Sequence, residues 1–380
     1  MIMQKRLTAL FLVVSLLFPL CSFAELDEDE LDIEEVIEVE EENNLPGLVD
    51  IDGSTIITIT CTGDFTIGGD NYHNKGKSFY KELKAHEDDI NFTMANVRDI
   101  FRNDDMTLVN FEGTLTETKY VPDKKRENDF LFNIAPSYVN VLPDNSIEAV
   151  SLENNHIMDH GEDAYEETKQ TLHDAGVIYS NSEEIGVFNV KGIQIAMLSY
   201  LCIDRYNKPV GGYDNLFDKV AADIQKTKQA YPIVIVSFHW GRELDYTPTD
   251  NQIRMGRLAV DSGADLVIGH HSHRINPIEQ YKGVYICYSL GNFCFSGNEK
   301  PSDMNSYLFQ TRFKISKTGE ISNNGFRIIP IRITSVKDRN NYTPTPVTDD
   351  MKTEGIINTL KDNGRKLEYS VPEYPLEWKE

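Results

Sequence analysis

The sequence is poor in cysteine, tryptophan and positive charge, and each shortage removes a class of function. Five cysteines stand in 380 residues, and no two are spaced as a CxxC pair. That argues against a cysteine-held zinc site. Cys61, Cys202 and Cys287 sit inside apolar runs and read as small buried side chains. The spacing indicates no disulfide pairing, although an oxidising compartment leaves one open. The two tryptophans, Trp240 and Trp378, give little support to a carbohydrate-binding module. Lys and Arg number 37 against 61 Asp and Glu, a formal net charge of -24. Phosphate backbones and anionic lipid heads are repelled on average, so neither nucleic acid nor a polybasic membrane contact is expected.

What is present begins with a targeting pattern. Lys5 and Arg6 precede an apolar stretch, Leu7 to Leu20, and Ser22-Phe23-Ala24 follows it. The stretch falls short of the about 20 residues that span a membrane. Residues 1–24 therefore read as a cleaved signal peptide, with an uncleaved N-terminal anchor as the alternative. Either places the rest of the chain outside the cytoplasm, secreted or anchored to the outer face of the cell membrane. Residues 25–53 are rich in Asp and Glu up to Glu42 and read as an acidic, solvated linker. Residues 54–335 read as one domain. Residues 336–380 read as a C-terminal extension with a short helix, Met351 to Leu360, and a tail.

Within the domain, short β-branched runs alternate with helical patterns. Ile56 to Cys61, Met106 to Phe111, Ile147 to Leu152, Ile193 to Tyr200, Ile233 to Phe238, Ala264 to Ile268 and Val284 to Tyr288 read as strands. Glu162 to Ala175 and Asp250 to Ser262 read as helices, the second with Thr249 as its N-cap. Strand and helix in alternation predict an α/β fold. Tyr307 to Ile315 and Phe326 to Ile333 read as half-exposed strands, at the far edge of the sheet or in a second sheet.

Five of the strands run into polar chemistry: Gly63-Asp64, Glu112-Gly113, Asn154-Asn155-His156, His239-Trp240-Gly241 and Gly269-His270-His271-Ser272-His273. One such ending is an ordinary turn or a satisfied structural histidine. Five on one edge of one parallel sheet converge on a crevice beyond the carboxyl ends of the strands, where open α/β sheets bind ligands. They bring together Asp64, Glu112, Asn155, His239, His271 and His273. Carboxylate, amide and imidazole in one set suit manganese, iron or zinc, whereas calcium and magnesium favour all-oxygen sites. His270 is expected to point away from its neighbours in a supporting role. The adjacent glycines permit close backbone approach.

These motifs resemble those of the CapA (PgsA-like) proteins of bacterial capsule and poly-γ-glutamate synthesis. The resemblance covers roughly residues 55 to 298. It rests on Thr62-Gly63-Asp64, Asn110-Phe111-Glu112, Leu152 to His156 with Asp159 and Gly161, Phe238 to Glu243, and Gly263 through His273 to Phe293. That family is related to the calcineurin-like metallophosphoesterases. The resemblance therefore implies a β-sandwich core flanked by helices, a four-layer αββα arrangement, with a metal site of one or two ions at the strand ends. It makes Asp64, Glu112, Asn155, His239, His271 and His273 ligands, His156 the general acid and Asp159 its orienting partner. Arg242 and Asn292 become substrate contacts. The metallophosphoesterase pattern has Asp-x-His on the first strand, where this chain reads Asp64-Phe65-Thr66. It has Gly-Asp on the second, where this chain has Glu112 after Phe111.

The implied function is capsule or poly-γ-glutamate synthesis at the cell envelope, beside membrane-associated polymer machinery. The implied chemistry is metal-dependent hydrolysis of a phosphorylated small substrate or of the anionic polymer. The alternative is a non-catalytic metal-binding scaffold that guides the polymer.

Overall fold

Apolar β-branched segments pair side by side and build two large sheets, each with one face toward the other, while Gly69–Asp70, Phe132–Ile134 and Thr114–Leu115 form a small third sheet. The computed structural model describes residues 52–70, 77–122, 130–203 and 213–379. The expected signal peptide or anchor, residues 1–24, and nearly all of the expected acidic linker, residues 25–53, lie outside these residues. All described residues fall in one unit, Leu45–Glu380.

The first sheet has eight strands. Thr55–Thr66, Met106–Phe111, Ala149–Ser151 and Ile178–Ser180 run parallel in that order. Asn292–Phe295 joins the end of Thr55–Thr66 in parallel. On the other flank of Thr55–Thr66 lies the antiparallel hairpin Asn305–Ile315 and Ile321–Arg332. The two late strands thus extend the first sheet and do not make a second one. The second sheet has six strands, with Gly186–Val190, Ile193–Cys202, Ile233–Trp240, Leu266–His270, Val284–Cys287 and Ile278–Tyr281 side by side. Its central pairs are parallel. The five strands with polar endings are therefore divided, three in one sheet and two in the other. The expectation of a single shared sheet edge is corrected: the crevice is made by two sheets face to face.

Period-two alternation assigns each strand residue to a face. Ile233 and Ile235 enter the cluster between the sheets, with Ile57, Ile59, Cys61, Met106, Leu108, Leu266 and Ile268. Val234, Val236, Phe238 and Trp240 face outward, packed with Val220, Ile224, Met255 and Ala259 of two helices, Tyr213–Ala230 and Asp250–Asp261. On the outer face of the first sheet, Val109, Phe111 and Val150 meet Phe79, Phe101 and Leu172 of three other helices. Helix, sheet, sheet, helix is the four-layer αββα arrangement. Burial on both faces explains why Ile233–Trp240 is almost wholly apolar.

The helix Asp250–Asp261 starts where its cap predicts. Thr249 accepts the backbone N–H of Gln252, and the Gln252 side chain returns to the Thr249 backbone, a complete capping box. The C-terminal helix Asp350–Gly364 and the stretch after it are built into the same core: Ile356, Leu360, Val371 and Tyr374 join the cluster between the sheets. The four described cysteines are free and buried.

Candidate metal centre

At the carboxyl ends of the strands the inward positions change from apolar to polar. The inward row of Met106 and Leu108 continues to Asn110. That of Ile233 and Ile235 continues to Ser237 and His239, and that of Leu266 and Ile268 to His270. Asn110, His239 and His270 are buried to within one per cent. Asp64 is delivered by an irregularity: the register of its strand shifts between Cys61 and Asp64. Gly63 makes this close passage feasible, since a Cβ there would lie 2.0 Å from the Gly291 carbonyl oxygen. The Asp64 N–H donates to that same oxygen at 2.9 Å.

After His270 the chain leaves the strand. His271 and His273 both have positive φ, 92° and 54°. That is an uncommon backbone for residues with a Cβ, of the kind that concentrates at functional sites. The turn brings both imidazoles back over the crevice. The rings of His239 and His271 are 4.6 Å apart and those of His271 and His273 6.2 Å apart.

Asp64, Glu112 and His273 each offer one ligand atom, all within 4.8 Å of one another. Asp64 Oδ2 is 2.9 Å from His273 Nδ1. His239 Nε2 lies 2.6 Å from Asn155 Oδ1 and 3.9 Å from Glu112 Oε1. Glu112 thus stands between an Asp64–His273 side and an Asn155–His239 side. All six residues read as ligands from the sequence come into one constellation. His156 borders it, with Nε2 3.7 Å from Glu112 Oε1 and Nδ1 2.7 Å from Asp159 Oδ2. The rings of Phe132 and Phe295 pack against His156 and His273 at 4.6 and 4.8 Å.

The other expected residues take different places. Asn292 holds a histidine, its Oδ1 2.9 Å from His273 Nδ1. Arg242 is exposed on the loop after Trp240, outside the buried network. His270 projects between the sheets and comes beneath Asp64, with Nδ1 3.5 Å from Oδ1. Both its ring nitrogens are buried without a hydrogen-bond partner among the described residues. Sequence reasoning passed over three residues that build the site. Asn110 and Asn154 bridge its segments, and Arg274 braces the His273 turn by donating to the His273 carbonyl at 2.8 Å. Continuing the inward parity of Met106 and Leu108 by one step finds Asn110.

The charges of the cluster suit a cation. Burial pushes the Glu112 carboxyl up to about 7, with the His273 charge opposing and the Asp64 charge adding to the rise. Burial would lower His273, but Glu112 and Asp64 outweigh it and raise the ring to about 9. Burial would likewise raise Asp64, but His270 and His273 hold its carboxyl well below the usual range. Burial and the neighbouring His271 keep His239 far below an ordinary imidazole. Both carboxylate oxygens of Glu112 are buried without a hydrogen-bond partner among the described residues. An uncompensated buried carboxylate costs several kcal/mol, on the order of the net worth of a few hydrogen bonds. A cation set among these oxygens and imidazoles offsets that cost, so the residues fit a divalent metal ion.

Comparison with known proteins follows the same lines. The family model described as bacterial capsule synthesis protein PGA_cap matches residues 58–297. The chain is 34% identical over 298 residues to the "PGA biosynthesis protein CapA" of Bacillus subtilis, covering 74% of each. It is 25% identical over 342 residues to the "Capsule biosynthesis protein CapA" of Bacillus anthracis, covering 85% of this chain and 77% of that one. Among solved structures, a hypothetical protein from Thermus thermophilus aligns over 72% of this chain and 98% of its own, at 13% identity and a TM-score of 0.43. With strand endings, site and matched span in agreement, the chain belongs to the bacterial capsule synthesis protein PGA_cap family.

Proposed function

We propose that this chain serves poly-γ-glutamate capsule synthesis on the outer side of the cell envelope, as a metal-dependent hydrolase of the phosphoesterase type. One observation carries the reading: Asp64, Glu112 and His273 converge within 4.8 Å in a chain that matches the capsule family over residues 58–297. The 1–24 targeting pattern supports the location. The mixed donor set favours manganese, iron or zinc, one ion or two.

Asp64, Glu112, Asn155, His239, His271 and His273 would hold the metal. When bound, it supplies Lewis acidity and an activated water. The chain's own groups do the rest. Asp159 holds the proton-bearing Nδ1 of His156 and stabilises the ring as a cation. Nε2 then carries a proton that it can give to a leaving oxygen. Phe132 and Phe295 shield one side of His156 and of His273 from water. The substrate reacts at a phosphoryl centre or at a γ-glutamyl carbonyl.

Complementation tests the reading. Removing the gene from its host should abolish cell-bound poly-γ-glutamate, and the wild-type chain should restore it where Glu112→Gln does not. Undiminished polymer after removal overturns the proposal. Full restoration by Glu112→Gln would assign the chain to guiding the polymer without catalysis. Thr66, standing in place of a first-strand histidine, favours that second reading.

A further inference from the structure

Asn110 stands two residues before Glu112 and is fully buried. Its amide meets three segments of the site. Nδ2 donates to Asp64 Oδ1 at 2.9 Å and lies 3.3 Å from His239 Nδ1. Oδ1 accepts from Asn154 Nδ2 at 3.3 Å. An ionised carboxylate can only accept, so the NH2 end must face Asp64. The second hydrogen of that NH2 is then available to His239.

We infer that Asn110 is a positioning residue that ties the two sheets together at the metal centre, holding Asp64 of the first and setting the tautomer of His239 of the second. The inference rests on the metal-centre reading above for its meaning but not for its geometry. A donor at Nδ1 makes that nitrogen the acceptor, which places the ring proton on Nε2. Nε2 in turn donates to Asn155 Oδ1 at 2.6 Å. Ligation through Nε2 would need that proton to leave, so this tautomer belongs to the metal-free chain.

The residue type follows from this double duty. One NH2 end can donate to both partners while the amide oxygen accepts from Asn154. Aspartate could not donate to Asp64 and would add a third carboxylate beside Asp64 and Glu112. Leucine, of similar size, could do neither. The inward parity of Met106 and Leu108 is what brings position 110 between the sheets.

Two measurements on the full chain test the inference. The first is the long-range proton–nitrogen spectrum of 15N-histidine-labelled, metal-free protein, with His239→Gln to assign the resonances. His239 is expected as the Nε2–H tautomer. The second is competitive titration with zinc against a chelator, comparing wild type with Asn110→Leu at equal secondary structure. Zinc affinity is expected to fall about 10- to 100-fold, the usual cost of losing a group that orients a metal ligand. If Asn110→Leu fails to fold, Asn110→Ala replaces it. An Nδ1–H tautomer in the metal-free wild type overturns the inference, and so does an unchanged zinc affinity in the folded variant. If the wild type takes up no zinc, the metal-centre reading fails by itself. The tautomer then decides the role of Asn110 alone.

Discussion

Asp159 Oδ2 lies 2.7 Å from His156 Nδ1 and also accepts the Phe132 backbone N–H at 2.8 Å. The second bond locks the carboxylate, so the first locks the imidazole. His156→Ala should lower turnover by about 10²- to 10⁴-fold, the usual contribution of a general acid. Its metal content should stay that of the wild type. Asp159→Asn should act in the same direction but more weakly. Steady-state rates with a generic phosphodiester, together with elemental analysis, check both. Loss of metal in His156→Ala would count against the assigned role.

Proton linkage gives a pH prediction for the metal-free protein. Glu112, raised to about 7, and His273, raised to about 9, both bind protons more tightly folded than unfolded. From about pH 6.5 to about pH 9 these two groups leave the native state with more protons than the unfolded state, and stability falls as pH rises across that window, whereas below it His239, held far below an ordinary imidazole, acts the other way. The His273 share is fully present below its ordinary value and is lost as pH passes about 9. Asp64 is shifted the other way and acts only in more acidic solution. Chelator-treated protein should melt at lower temperature at pH 8.5 than at pH 6.5. Saturating manganese or zinc should reverse the loss, because a cation replaces those protons. A flat profile without metal would contradict the charge assignment.

Gly269 tests the packing beneath the histidines. A Cβ at this position would lie 2.2 Å from the Tyr288 carbonyl oxygen and 2.4 Å from Trp240 Nε1. Those two atoms are themselves hydrogen-bonded at 2.9 Å. Gly269→Ala must push backbone aside, so it should cost about 1–3 kcal/mol in chemical denaturation. It should also reduce metal content, since His270, His271 and His273 follow directly.

Arg257 makes a prediction remote from the metal centre. Glu279 is wholly buried, and Arg257 Nη2 binds its Oε1 at 2.7 Å. Tyr288 donates to the other oxygen at 2.7 Å. Arg257→Met would strand a buried carboxylate and should destabilise the protein by about 3–5 kcal/mol. Arg257→Met combined with Glu279→Gln should recover much of this. Thermal and urea unfolding of the single and double variants provide the check.

The sequence by itself determined the α/β class, the strands and the polar endings. Hydrophobic periodicity is local, and a strand such as Ile233–Trp240 shows its burial in its own composition. The capping box at Thr249 is equally local. So is the set of residues at the centre, because each stands just past an apolar run. Only the tertiary structure decided which sheet each strand joins. A run of β-branched residues records that it will pair and leaves its partner open, and five endings read as one edge belong to two facing sheets. Only the structure decided what the polar residues do to one another. Asn292 meets His273, and His270 comes beneath Asp64. Asn110 is the clearest case. It stands two residues before Glu112 in the chain, but its role depends on Asp64 and His239. Those residues lie 46 and 129 positions away in the chain and meet only when two sheets close on each other.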